Sequence, residues 1–195
     1  MQTKSNRKSN KDRSKTTRTA LIDAARHLFI VKGFGETGTP EIVKLANVTR
    51  GALYHHFDGK RALFRGVLEA EAADVADSID SGSLQERTPL DALLAGGDAY
   101  LDAMTEPGRV RLLLVDGPSI LGRAEMAGID KATSREELRQ GLKLAIGDQE
   151  PGIQDAMTDL ISAVYDQAAL AISEGQNPAC YKSVIRRLLA NYTEP

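Results

Sequence analysis

The chain has 195 residues, 42% hydrophobic and 27% charged, with one cysteine, a composition of ordinary soluble domains. No stretch free of Asp, Glu, Lys and Arg exceeds seven residues, so a membrane span of about 20 apolar residues is excluded, and no apolar run follows the basic N-terminus to make a secretory signal. The net charge of −2 conceals an asymmetry: residues 1–65 carry 14 Lys and Arg against 5 Asp and Glu, and the other 130 residues carry 11 against 22, so a front suited to a polyanion precedes an acidic body. A lone Cys180 can form no internal disulfide and no Cys-rich zinc module. The expectation is a cytoplasmic protein with no membrane partner.

Residues 1–16 hold Lys4, Arg7, Lys8, Lys11, Arg13 and Lys15 against Asp12 alone. They offer nothing to bury and are expected to form a disordered basic arm. Thr16 or Thr17 can cap a helix in which Leu21, Ile22, Ala25, Leu28 and Phe29 share one face, and Gly33 stops it. Pro40–Ala46 fits a short helix, with Thr39 as N-cap and Pro40 at the first helical position. Asn47 suits a left-handed turn. Thr49 can cap a second short helix, Arg50–His56, which Asp58-Gly59 ends. A longer helix runs from Lys60 to about Ser78, and Ser81–Thr88 reads as a loop.

Pro89–Thr105 reads as a helix with Leu90, Leu94, Leu101 and Met104 on one face. Pro107-Gly108 and Gly117-Pro118 are expected to break the chain on either side of a short apolar segment, Arg109–Asp116. Ser134–Gly147 carries a capping-box pattern in Ser134 and Glu137. Ile153, Met157, Leu160, Ile161, Val164, Ala168, Ala171 and Ile172 then form one stripe, and Tyr181, Val184, Ile185, Leu188, Leu189 and Tyr192 a second, joined by a turn at Gly175–Pro178. Two such helices make an antiparallel hairpin, packed on its own core or on the hairpin of a second chain.

The chemistry of enzymes is thinly represented. Gly33–Gly38 matches G-x-G-x-x-G, with Asp58 at the distance of a ribose-binding acid. A nucleotide-binding enzyme built on it requires a strand before the glycines, whereas the preceding residues have helical period. His55 and His56 are adjacent and point about 100° apart on a helix, so they cannot share a metal. Asp98, Asp102 and Glu106 align at i, i+4, i+8, opposite the apolar face; they read as a solvated row, or as a site for a cation if they faced a cavity. No catalytic residue, metal site or cofactor is expected.

The helix–turn–helix at 38–57 is the strong signal. Ile42, Val43, Ala46, Val48, Leu53 and Phe57 face inward, leaving Arg50, Gly51, Ala52, Tyr54, His55 and His56 on other faces. Gly51 and Ala52 are small where DNA would approach closely. Arg50 can donate to guanine, the Ala52 methyl can touch thymine, and Tyr54, His55 and Lys60 can donate to phosphate.

These residues bear a family resemblance. A-A-R-H-L-F at Ala24–Phe29, K-G-F at Lys32–Phe34, and T-P-E-I-V-K-L-A-N-V-T-R-G-A-L-Y-H-H-F at Thr39–Phe57, with Lys60 before Ala62-Leu63-Phe64, make Thr17–Phe64 similar to the DNA-binding domain of tetracycline-repressor-like (TetR) transcriptional regulators. The resemblance implies that Thr39 binds phosphate, that Arg50, Gly51 and Ala52 face the major groove, and that Tyr54, His56 and Lys60 hold the backbone; with Thr49 and His55 these are the candidate DNA contacts. Asn47 stands where the family usually has Gly, and Pro40 where some members place a polar contact.

The implied fold is all-α: a three-helix helix–turn–helix domain over residues 17–65 and a helical effector-binding and dimerisation domain over 66–195. The implied function is transcriptional repression through a double-stranded DNA operator, by a homodimer that a small-molecule effector releases. The dimer would form through Ile153, Met157, Leu160, Ile161, Val164, Ala168, Tyr181, Val184, Ile185 and Leu188. The effector would sit within residues 89–150 and the helices around them, near Tyr100, Met104, Leu113, Met126, Met157 and Tyr165. A helical small-molecule- or partner-binding protein without DNA binding stays open beside this reading.

Overall fold

The computed structural model describes residues 10–83, 88–131 and 134–191, and among them there are helices and no strand. The order is α1 (Asn10–Glu36), α2 (Thr39–Leu45), α3 (Arg50–His56), α4 (Lys60–Ser83), α5 (Pro89–Ala103), a π-helical segment (Arg111–Asp116), α6 (Gly117–Ile120), α7 (Arg123–Lys131), α8 (Ser134–Ile146), α9 (Pro151–Ser173) and α10 (Pro178–Ala190). The chain divides into two compact units, the first ending at Val67 and the second beginning at Leu68. The strand that the Gly33–Gly38 fingerprint requires is absent, because Leu28–Val31 lies inside α1. That overturns the nucleotide-enzyme alternative.

In the first unit α1, α2 and α3 pack on one another over Leu21, Ala25, Phe29, Ile42, Leu53, Leu63 and Phe64, all fully buried. Phe29, Phe34 and Phe64 stack edge-on with ring centroids 5.1–5.6 Å apart. Gly33 interrupts α1 at φ 79°, ψ 165°, a region that a side chain disfavours. The buried Thr37 hydroxyl closes that break by donating to the Gly33 carbonyl at 2.8 Å.

Two local expectations change here. The first helix starts at Asn10, so residues 10–16 of the expected disordered arm are helical, and residues 1–9 lie outside the described residues. Lys and Arg are good helix formers, and the helical period sets Lys11, Lys15 and Arg18 on one face. Thr39 is the first residue of α2, and the N-cap is Gly38, which makes no side-chain cap. The Thr39 hydroxyl is hydrogen-bonded to Tyr54 instead. Thr49 does cap α3, accepting from the Ala52 N–H at 3.2 Å, and Asn47 takes the left-handed turn at φ 52°.

The second unit is a helical bundle in which α5 packs on α8, α9 and α10, and α8 on α7 and α9. Gly117-Pro118 does not break the chain as expected. Residues 111–116 widen to π geometry, the Gly117 N–H bonds to the Leu112 carbonyl, and α6 follows directly. Pro118, having no N–H, fits the start of α6. A Cβ at Gly117 would lie 2.9 Å from both the Leu112 oxygen and the Met126 sulfur, so this glycine serves close packing. Helix α4 also extends past the expected end near Ser78, to Ser83.

Arg109 and Glu71 form a buried ion pair at 2.7 Å, their side chains 10% and 4% exposed. Arg109 also donates to the Ala103 carbonyl at 2.8 Å. Asp98 and Asp102, read as a solvated row, meet Arg186 at 3.4 Å and Lys182 at 2.7 Å, tying α5 to α10.

Candidate nucleic-acid interface and ligand cavity

The exposed surface of α2 and α3 collects the residues expected to touch DNA. Thr49, Arg50, Gly51, Tyr54 and His55 are exposed, while Thr39, Ala52, His56 and Lys60 are half-buried. The Arg50 guanidinium lies over the Tyr54 ring, 5.5 Å from its centroid. Hydrogen bonds from Arg50, then from Thr39, hold the Tyr54 phenol below its ordinary pKa. Thr39, Arg50 and Tyr54 therefore form one cluster across α2 and α3. No heavy atom comes closer than 3.9 Å to a Cβ built at Gly51, so the protein itself leaves that position open.

Two candidates differ from expectation. The Lys60 ammonium donates to the carbonyls of Phe34 at 2.8 Å and Gly35 at 3.3 Å, and sits 4.3 Å from the Phe34 ring centroid. It ties the start of α4 to the end of α1, so it is not a free phosphate donor. Burial, then the charges of His55 and Arg18, hold the His56 imidazole below its ordinary pKa, so near neutral pH His56 offers a neutral N–H rather than a charge. Sequence reasoning missed Arg18, whose guanidinium lies 5.3 Å from the Phe57 ring centroid. Its place in the basic stretch was visible, but only the folded unit brings it beside α3.

The second unit contains a cavity of about 580 Å³ among α4, α5, α7, α8, α9 and the segment around the π turn. Tyr100, Met104, Leu113, Met126 and Tyr165 line it. Met157 does not; it is half-buried elsewhere on α9. A Cβ at Gly97 would overlap the Tyr165 phenol, so that glycine makes room for the ring. The Tyr100 hydroxyl donates to Asp166 Oδ1 at 2.6 Å, and the Tyr100 and Tyr165 rings meet at 73° with centroids 5.9 Å apart. Burial, then the Asp166 charge, raises the Tyr100 pKa well above its ordinary value; burial raises Asp166.

Sequence reasoning missed the carboxylates of this wall: Asp80, Asp130, Glu137 and Asp166. Burial, reinforced by Asp166 and opposed by Arg135, pushes Asp130 up to about 6. A raised carboxylate costs stability when ionised. The cost is absent below the unfolded value near 4, grows as pH rises through about 6, and is of order 3 kcal/mol at most. Asp130→Asn is expected to raise Tm by about 5 °C at pH 7.5 and to have little effect at pH 4.5, as read by calorimetry. An equal shift at both values would assign the effect to packing.

On α9 and α10 the expected stripe divides. Ile153, Leu160, Val184 and Leu188 are exposed, at 49%, 67%, 55% and 43%. Met157, Ile161, Val164 and Tyr181 are half-buried. Ala168 and Ile185 are 2% and 4% exposed; they fill the chain's own core and cannot contact a second copy, which corrects their assignment to an interface.

Residues 21–67 match the family model described as bacterial regulatory proteins, tetR family. Residues 90–191 match the tetracyclin repressor-like C-terminal domain. The A-factor receptor protein of Streptomyces griseus is 30% identical over 92 residues, 47% of this chain and 31% of that protein. The HTH-type transcriptional regulator TtgR of Pseudomonas putida is 34% identical over 79 residues, 36% of this chain and 38% of that protein. The matched stretches thus span about a third of these relatives' length. Among solved structures, a tetR-family transcriptional regulator from Pectobacterium atrosepticum superposes with a TM-score of 0.70 at 24% identity, covering 94% of this chain and 95% of that one. The TetR-like regulator LfrR of Mycobacterium smegmatis, in complex with proflavine, superposes at 0.64 and 19%, covering 93% and 98%.

Proposed function

Because the chain belongs to the tetR family of bacterial regulatory proteins, we propose that it represses transcription by binding a palindromic operator as a homodimer, and that a small molecule in the cavity of the second unit releases it. The observation that carries this reading is the outer face of α3, where Arg50 and Gly51 are exposed beside Ala52 on a front with 14 Lys and Arg against 5 Asp and Glu. Phosphate contacts from such a surface give salt-dependent affinity, and base contacts from Arg50 and Ala52 give sequence preference. An effector acts by favouring one of two dimer geometries that differ in operator affinity. No step here is enzymatic.

Selection of bound sequences from random duplex DNA at two salt concentrations tests the proposal. The expected product is a palindrome whose half-sites lie about one helical turn, or a small multiple, apart. A folded protein that enriches nothing would overturn it and favour a binding protein without DNA.

Two substitutions separate base reading from support. Arg50→Ala is expected to weaken specific binding by about 1–3 kcal/mol and to relax one base position. Lys60→Ala is expected to weaken all sequences alike and, because Lys60 holds the Phe34 and Gly35 carbonyls, to destabilise the free protein by about 1.5–3 kcal/mol. Sequence-independent losses for both would remove Arg50 from base reading.

A further inference from the structure

The walls of the second unit's cavity are mostly apolar, with Val75, Ile79, Leu93 and Leu113 among them, yet the charge they carry is one-sided. Among the described residues lining it, Asp80, Asp130, Glu137 and Asp166 face a single basic side chain, Arg135. That guanidinium is already engaged: Nη2 and Nε donate to Asp159 Oδ1 at 2.6 Å and 3.1 Å. Glu137 Oε2 is shut off from solvent and accepts no hydrogen bond. Asp77 adds to the field at Glu137, and Asp155 and Asp159 to that at Arg135. The cavity thus holds buried negative charge without matching positive charge, in an apolar surround where such charge is costly.

We propose that the cavity takes an amphiphilic organic monocation, a protonated amine or quaternary ammonium on a compact apolar body. The proposal rests on the reading of this cavity as the effector site. A cation placed beside Glu137, Asp130 and Asp166 gains Coulomb energy at low dielectric and relieves their mutual repulsion. An anion meets that repulsion, and a neutral molecule of the same shape gains only the burial of its apolar surface. The volume, about 580 Å³, lies in the range of small-molecule sites. Tyr100 and Tyr165 are the aromatic residues among those lining it, which favours an aliphatic body over an extended flat one.

The test uses the full chain without DNA. Titration calorimetry with decyltrimethylammonium, decanol and decyl sulfate, all below micelle-forming concentration, varies the head charge on one apolar chain. The cation is expected to bind about tenfold or more tighter than the alcohol, and the sulfate weaker than either. Glu137→Gln is expected to narrow the cation-over-alcohol ratio about threefold or more. Equal affinities for the three, tighter binding of the sulfate, or no binding by any would overturn the proposal without needing a variant. The operator selection described above decides the regulator reading separately. A cation-selective cavity in a protein that enriches no DNA would defeat that reading alone, and an operator-binding protein indifferent to head charge would defeat this proposal alone.

Discussion

Replacing Leu160 and Val184 together by glutamate is expected to turn a dimer into a monomer and to lower operator affinity by about 10²–10⁴-fold. Leu160 is 67% and Val184 55% exposed, so neither side chain supports the fold of the isolated chain. Together with Ile153 and Leu188, also exposed, they form an apolar face on α9 and α10 with no cover from their own chain, the kind of patch that marks an interaction surface. Four carboxylates introduced across a two-fold interface would be desolvated without partners. A monomer then reads one half-site and loses the effective concentration that linkage gives the second head, worth about 10²–10⁴ in avidity. Sedimentation reads the mass, circular dichroism the retained helicity, and a binding titration the affinity. A variant that stays dimeric would place the interface elsewhere.

The second large effect is on stability. Arg109→Met is expected to cost about 3–5 kcal/mol, because it leaves Glu71 ionised and unmatched in the interior. For a chain of this length that lowers Tm by about 10 °C. The deficit should shrink as pH falls, since protonating Glu71 removes the stranded charge. Adding Glu71→Gln should recover part of the loss, which a double-mutant cycle isolates. Lys182→Met, which removes the exposed partner of Asp102, provides the contrast at about 1 kcal/mol or less. Equal losses for the two arginine and lysine variants would mean that burial does not set the strength of the Arg109–Glu71 pair.

The features legible in the sequence are those in which neighbouring residues enforce the conformation. Gly33 breaks α1, Thr49 caps α3, and Asn47 turns the chain between α2 and α3. The apolar periods of α5, α9 and α10 located those helices, though each period marks one wide stripe and does not say which part meets its own chain. Ala168 and Ile185 went into the core, while Leu160 and Val184 stayed outside. Nothing local distinguishes them, because the choice depends on what packs from the side.

The remaining differences share that cause. The arm residues 10–16 are polar enough to read as disordered, yet they extend a helix already nucleated by the buried face behind them. Gly117-Pro118 reads as a break, but a widened turn and the contact of Gly117 with Met126 keep the chain helical. Lys60 reads as a phosphate donor, and the end of α1 takes its ammonium first.

By itself, then, the sequence determined the helical class, the helix–turn–helix with its exposed Arg50, and the charge contrast between front and body, since period, caps, turns and net charge are local or additive quantities. Only the tertiary structure decided that Arg109 lies against Glu71, that Asp98 and Asp102 serve α10, and that Asp130, Glu137 and Asp166 converge on one cavity. Those pairings join residues far apart in the chain, and whether a charge is paired, solvated or stranded depends on the neighbours that folding brings to it.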